Sequence, residues 1–288
     1  MEFQSIKVEE REGGIGIITL NRPEKRNAIS IQMRREISHC LNEWKHSSIH
    51  VVIFTGAGFA FSAGFDLDEF RRPELFDELL DSSSTYHKDV WIYPKPTIAA
   101  VNGPALGGGF DLATFCDIRI SSPDAVFGHP EIKFGAPPLF TPLRWIVGGG
   151  LARDLCLTGR KIDAHEAYRI GLVNEIVEKT ELLKRAFQIG VTILEAPLET
   201  IQFTKKYLVD NAGQGFEESF LIEHDKAFRE ILLKRARERG NACDGGPSYL
   251  FNFKGVPETY RQPPKILFGE PDRGNSDPGH APLFSSAE

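Results

Sequence analysis

Apolar and polar positions along this chain alternate between two rhythms. "IGIITL", Ile15 to Leu20, is a short apolar, β-branched run stopped by Asn21, Arg22 and Pro23, the pattern of a buried strand closed by a turn. The following "SIQMRREISHCLNEWKH" places Ile31, Ile37, Cys40, Leu41 and Trp44 at helical spacing. The same order then returns. "IHVVIFTGAG" is a glycine-bounded strand, "SAGFDLDEF" a turn entering another helix, and "KPTIAAVNG" a strand whose glycine turn leads into the helical "GGFDLATFCD". "DIRISSPDAVFGHPEI" reads as two short strands around Ser121 to Asp124. Strands recurring between helices imply an α/β class with helices covering the sheets. The repetition is architectural, since no fixed sequence period accompanies it.

After Gly150 the character changes. Asp163 with Glu166 three residues on forms an N-cap pair, and Gly171 stands where a short helix would stop. From Thr180 to about Arg239 the pattern is almost wholly helical, with Pro197 suited to the first turn of a helix. Beyond Gly240 glycine and proline with scattered aromatics predict an extended arm rather than a regular element. The expected division is a core over 1–195, a helical region over 196–240 and a Pro/Gly-rich tail over 241–288.

Composition narrows the function. The chain has 288 residues, enough for a sizeable core. With 40 acidic against 34 basic residues it is mildly negative, which argues against a nucleic-acid binder but leaves room for a local basic site for one anion. Cys40, Cys116, Cys156 and Cys243 lie far apart without a CxxC pair, as free thiols in a reducing compartment would. The start, "MEFQSIKVEEREGG", lacks the apolar stretch of a secretory signal, and no other run is long enough to span a bilayer. A cytoplasmic protein with no membrane partner is expected.

The run Gly107 to Gly109 follows a strand and opens a helix. Two readings stay open: a tight turn with close packing, or unpaired N–H donors at the positive end of a helix dipole, where an oxyanion or phosphate is stabilised. Familiar motifs fail on spacing. "TGAGFAF" has Phe61 where the dinucleotide fingerprint needs its third glycine, and neither GxxxxGK[ST] nor GxSxG occurs, so Ser62 is no hydrolase nucleophile. His46 and His50 stand four apart, but "HSSIH" leaves a helix for a strand with no carboxylate between them, and a solvated helix end explains them. No metal, flavin or nicotinamide site is expected.

Five blocks, in order, resemble the crotonase family, the enoyl-CoA hydratases and isomerases: "NRPEKRNAIS", "FSAGFDLDEF", "AAVNGPALGGGFDLATFCDIRISS", "FGHPEIKFG" and "LTGRKIDAHEAYRIGLVNEIV". The resemblance covers roughly residues 5 to 235 and implies a right-handed crotonase-type superhelix of ββα units with a C-terminal helical trimerisation region, assembling as a trimer or hexamer. It implies an acyl-CoA thioester as ligand, coenzyme A entering as part of the substrate and no separate cofactor. The nucleotide would lie near Lys25, Arg26 and Ala28, and further contacts are implied at Ala63, Gly64, Asp66, Leu67 and Gly107. The backbone N–H groups of Phe65 and Gly108 match the family's oxyanion hole, which stabilises enolate character on the thioester oxygen.

Hydratases of this family carry two glutamates that work as acid and base. The matching positions are Asp111, shorter by a methylene, and Glu131, twenty residues later. Hydration of a 2-enoyl-CoA is the leading expectation, with Glu131 delivering the proton to C2 and Asp111 orienting the water that attacks C3. Burial near Phe65, Phe110 and Phe134 would favour the protonated acid. The aspartate makes isomerases rivals, although the further aspartate of dienoyl-CoA isomerases corresponds to Leu139; a silent acyl-CoA-binding protein is a second alternative. Thioester hydrolysis and decarboxylation could share the same hole. The chain departs from the family at Asp68, where the pattern AGADIKEM has its lysine, and at "GAPPLFTPLRWIVG", where Pro137, Pro138, Phe140 and Trp145 read as a rigid aromatic wall or as plain packing. His129 reads as a residue closing a strand end or as one tuning Glu131, Asp117 as a partner of Arg119 or a backbone amide, and Asp66 as a cap on the following helix.

Overall fold

The computed structural model describes residues 3–210. Six strands, β1 (Ile6–Arg11), β2 (Ile15–Leu20), β3 (Val51–Gly56), β4 (Thr97–Val101), β6 (Ile118–Ser121) and β9 (Glu175–Ile176), form one sheet in that spatial order. Only β1 runs antiparallel to its neighbour; the other pairings are parallel. A narrower sheet joins β5 (Ala105–Leu106), β7 (Val126–Gly128) and β8 (Ile162–Asp163). The helices are α1 (Ile31–Lys45), α2 (Phe76–Trp91), α3 (Gly108–Phe115), α4 (Phe140–Thr158), α5 (Ala164–Arg169), α6 (Leu182–Leu194) and α7 (Leu198–Asp210).

The central strands are near-continuous apolar runs because both sheet faces are covered. Alternate residues go to opposite sides. Ile18, Leu20, Val52, Phe54, Ala99 and Val101 join the core with Ile37 and Leu41 of α1, whereas Ile15, Ile17, Val51, Ile53, Ile98 and Ala100 join Leu182 and Ala186 of α6. Each fully buried valine, leucine, isoleucine or phenylalanine among them contributes about 1.5–3 kcal/mol. Gly190 lets α6 press on this second face, since a Cβ there would stand 2.9 Å from Ile15 Cδ1.

Single bridges, Ile29 to Phe65 and Ser62 to Ala105, extend the narrow sheet backwards along the chain. Each turn of the coil therefore consists of a strand in the wide sheet, a short segment in the narrow one, and a helix: β3, residues 62–65 and α2; then β4, β5 and α3; then β6, β7 and α4. These are the ββα units expected. Asp163 accepts the Glu166 N–H at 2.8 Å, as an N-cap should, and Gly171 follows α5 with φ 76°. Pro197 sits one residue before α7, its carbonyl accepting from Ile201 N–H.

One strand is added to the expected elements, and two local readings are refined. "IKVEER" is a strand, β1, held in place because Glu36 accepts the N–H groups of Gln4, Ser5 and Ile6. "DLDEF" forms a 3₁₀ turn, Glu69–Arg71, and a second follows at Pro73–Leu75, so that α2 starts only at Phe76. The segment after Ala136, read as a wall or as plain packing, is largely α4, kinked at Gly148, with Trp145 half exposed and stacked under Arg144. Most of the 196–240 region and all of the 241–288 tail, including Cys243, lie outside the described residues. Among the described residues no helix is long and apolar enough to cross a membrane.

Candidate active site

The first two blocks of the sequence are laced together through their backbones. Ala63 N–H donates to Arg26 O at 2.9 Å, Ile29 N–H to Gly64 O at 2.8 Å, and Asp66 N–H to Ile29 O at 3.3 Å. Arg26 and Asn27 reach this register through left-handed φ values of 53° and 55°. Asparagine tolerates that region, and the Asn27 amide anchors the turn by donating to Ala57 O and Ala60 O. Ser62 is wholly buried and its hydroxyl donates to Asn27 O, a structural bond that leaves it no nucleophilic role.

Each glycine of the triple run makes room for a different neighbour. A Cβ at Gly107 would lie 3.1 Å from Glu131 Oε2, one at Gly108 2.9 Å from the Phe65 ring, and one at Gly109 2.5 Å from Ser62 O. Gly107 also has φ 52° and ψ −128°, a conformation that a side chain would strain. Close packing and open donors, the two readings left by the sequence, are both present. Among the described residues neither the Phe65 nor the Gly108 N–H has an acceptor, and residue 64 lies against this segment, its Cβ position 3.2 Å from Gly108 N. Two unpaired donors thus sit on adjoining segments, one of them at the N-terminus of α3.

Phe65 itself is fixed from several sides. His87 and Phe70 stack with its ring at centroid distances of 5.6 and 6.4 Å, and the Arg34 guanidinium lies 4.8 Å above it. Arg34 is buried, paired with Glu69 at 3.1 Å and bonded to Leu79 O. Burial pushes the His87 imidazole down to about 4, with the Arg34 charge acting in the same direction, so it is neutral at physiological pH. Beside Phe65 a cavity of about 330 Å³ is lined chiefly by Phe70, Phe76, Leu79 and Leu80.

Asp111 and Glu131 meet as the resemblance implied, and His129 stands between them. Its Nδ1 lies 2.8 Å from Glu131 Oε1 and its Nε2 3.9 Å from Asp111 Oδ1, while the ring packs on Phe110 at 4.7 Å. The histidine therefore does not simply close a strand end. Asp111 is buried, and burial pushes its carboxyl up to about 7; the His129 charge opposes this shift and the Glu131 charge adds to it. Asp111 Oδ1, His129 Nε2 and Glu131 Oε2 are buried without a hydrogen-bond partner among the described residues. Ligand atoms of the three lie within 4.8 Å of one another, a donor set that a divalent cation could also use. Phe134, expected beside the acids, is 82 % exposed, because its 3₁₀ turn points it outward; Phe110 supplies the apolar surface instead.

The remaining implied contacts separate from this cluster. Gly64 and Gly107 belong to it, whereas Lys25, Arg26, Ala28, Ala63, Asp66 and Leu67 line the laced loops. Lys25 pairs with Asp68 at 3.0 Å, and Asp68 also holds Arg71. Asp66 does not cap a helix: one carboxylate oxygen accepts the Asp68 N–H and the other pairs with Arg22 at 2.8 Å. Arg22 also donates to Ala28 O, so Asp66 and the Ala28 carbonyl are already engaged within the chain. Leu67 and Ala63 are exposed. The Asp117 carboxylate accepts from a backbone amide, the Thr97 N–H, and from the Thr97 hydroxyl and pairs with Lys205, while of Asp117 the Arg119 side chain reaches only the backbone carbonyl.

Comparison with known proteins fits this geometry. A family model described as enoyl-CoA hydratase/isomerase matches residues 10–241. The chain is 33 % identical over 258 residues to a short-chain-enoyl-CoA hydratase of Clostridium acetobutylicum, covering 83 % of this chain and 98 % of the relative. It is 37 % identical over 248 residues to a probable enoyl-CoA hydratase of Mycobacterium tuberculosis, covering 84 % and 95 %. The crystal structure of an enoyl-CoA hydratase from Bacillus anthracis superposes with a TM-score of 0.77 at 30 % identity, over 83 % of this chain and 95 % of that one.

Proposed function

The chain belongs to the enoyl-CoA hydratase/isomerase family, and we propose that it adds water across the double bond of a 2-enoyl-CoA to give a 3-hydroxyacyl-CoA. The observation that carries this reading is the meeting of two carboxylates beside two unpaired backbone donors. The thioester oxygen takes the N–H groups of Phe65 and Gly108, which stabilise the enolate as it forms; one such donor is worth about 2.7–4 kcal/mol. Asp111 holds the water that adds its oxygen to C3. Glu131 takes a proton from that water as its O–H bond breaks and delivers it to C2, so the elements of water are divided between the two carbons. The acids, a water and the hole suffice for this chemistry, and we assign no cofactor beyond the coenzyme A carried by the substrate.

The acyl chain leaves the hole toward the cavity beside Phe65, whose aromatic and leucine lining suits hydrocarbon. The CoA nucleotide lies along the laced loops, where Lys25 and Arg26 supply positive charge. Self-association as a trimer or hexamer rests on the family resemblance, and the free buried thiols among the described residues support a cytoplasmic setting. Turnover of crotonyl, longer straight-chain, 3-enoyl, dienoyl and cyclic enoyl-CoA thioesters, read by product mass, tests the reading. A gain of one water that vanishes in Glu131→Gln supports hydration. An unchanged mass with a moved double bond makes the chain an isomerase, and binding without turnover makes it an acyl-CoA-binding protein.

A further inference from the structure

A histidine that merely finishes a strand bonds its ring nitrogens to backbone carbonyls. Among the described residues the two nitrogens of His129 instead face two carboxylates from different turns of the coil, Glu131 at 2.8 Å and Asp111 at 3.9 Å. Phe110 packs against the ring, and the side chain is almost wholly enclosed. We infer that His129 is the positioning residue of this site, fixing Glu131 through Oε1 so that Oε2 is presented beside Gly107, and coupling Glu131 to Asp111 through its other edge.

The bonded oxygen cannot rotate away without giving up its partner, so the free one keeps a single address next to the donor segment. Burial strengthens this hold, because a charge-assisted bond is worth more away from water. Around the two carboxylates stand Tyr86 on α2 and Cys156 on α4. Burial pushes the ionisation of both upward, that of Cys156 to about 11, and neither carries charge at working pH. His129 is thus the basic group that Asp111 and Glu131 share.

This inference rests on the proposed hydration, and its test is a comparison of His129→Leu with His129→Asn, whose short amide places a donor near the Nδ1 position. His129→Leu is expected to lower kcat about 100-fold with KM within about twofold, since the change alters proton transfer rather than thioester binding. Its kcat–pH curve should shift toward higher pH, because His129 holds Asp111 down. His129→Asn should recover most of the lost rate. Thermal unfolding of both variants, and the ¹⁵N shift of the His129 Nδ1 in labelled enzyme with and without Glu131→Gln, read fold and contact without any turnover. A moving nitrogen signal supports the contact even if the reaction proves to be another one. Wild-type kcat and pH profile in His129→Leu, equal losses in both variants with a matching fall in unfolding temperature, or a nitrogen signal indifferent to Glu131→Gln would each overturn the inference.

Discussion

The Phe65 ring rests on the Cα of Gly108: a Cβ at residue 108 would stand 2.9 Å from two of the ring carbons. The two residues whose N–H groups form the proposed oxyanion hole therefore set each other's position through side-chain packing as well as backbone register. Gly108→Ala must push the ring off its place between His87 and Phe70. A loss of about 100-fold in kcat is expected, the scale of removing one such donor. Adding Phe65→Ala should restore part of the loss, since that variant keeps its N–H and frees the space. A double-mutant cycle in kcat measures the coupling, and strict additivity of the two changes would count against the packing account.

Gly107 carries a second constraint. Alanine there would strain a φ of 52° and bring its methyl to 3.1 Å from Glu131 Oε2. Destabilisation of about 1–3 kcal/mol should follow, lowering the unfolding midpoint by several degrees, with kcat falling as Glu131 is displaced. An unfolding curve superimposable on wild type would show that the turn has slack.

Asp111 gives the enzyme a pH-dependent stability of known sign. Its native pKa, about 7, is raised above the ordinary value of 3.8, so the native state holds a proton that the unfolded chain has lost between those pH values. This contribution is full below pH 3.8 and is lost as pH rises through 7, a total on the order of 4 kcal/mol. Asp111→Asn removes the titration. Relative to wild type, the asparagine variant should gain stability between pH 5 and pH 8, measured by denaturant unfolding at both, even though its hydration rate falls. A constant difference across that range would place the titration elsewhere.

Asp68 is paired with Lys25 at 3.0 Å, so with the nucleotide along these loops as proposed it would compete with phosphate for that lysine. Asp68→Ala should lower KM for the CoA thioester about threefold at low salt, and Lys25→Ala should raise it by a similar factor, both effects fading as salt screens them. The same variants assayed with an N-acetylcysteamine thioester, which lacks the nucleotide, should match wild type. Equal effects on both substrates would move the nucleotide off these loops.

Much of the scaffold could be read from one-dimensional pattern, because buried strands and amphipathic helices write their period into the sequence. Ile15–Leu20 is an instance. β1 escaped because it is an edge strand with mostly exposed, charged side chains, and pairing with β2 together with the Glu36 carboxylate makes it a strand. α4 escaped because Pro137, Pro138, Phe140 and Trp145 drew attention as a wall or as packing, whereas a helix starts at Phe140 with Pro142 in its first turn, where a missing N–H costs nothing. In the site, the family resemblance located Asp111 and Glu131. What it could not show was that His129, eighteen residues from Asp111, would turn both ring edges to them, since that depends on how two turns of the coil stack. The outward turn of Phe134 was hidden because it depends on the short 3₁₀ turn Pro130–Phe134, which no hydrophobic period announces.

The stacking of ββα units has a temporal consequence. Phe65 belongs to one turn of the coil, Gly108 and Asp111 to the next, and His129 with Glu131 to the one after. No single turn owns a working half of the chemistry. During refolding, helices and strands can form turn by turn, but the catalytic atoms come together only when three successive turns have docked, so recovery of activity should trail recovery of secondary structure. A chain cut between any two of those turns would hold all the right residues and stay silent until its pieces reassociate.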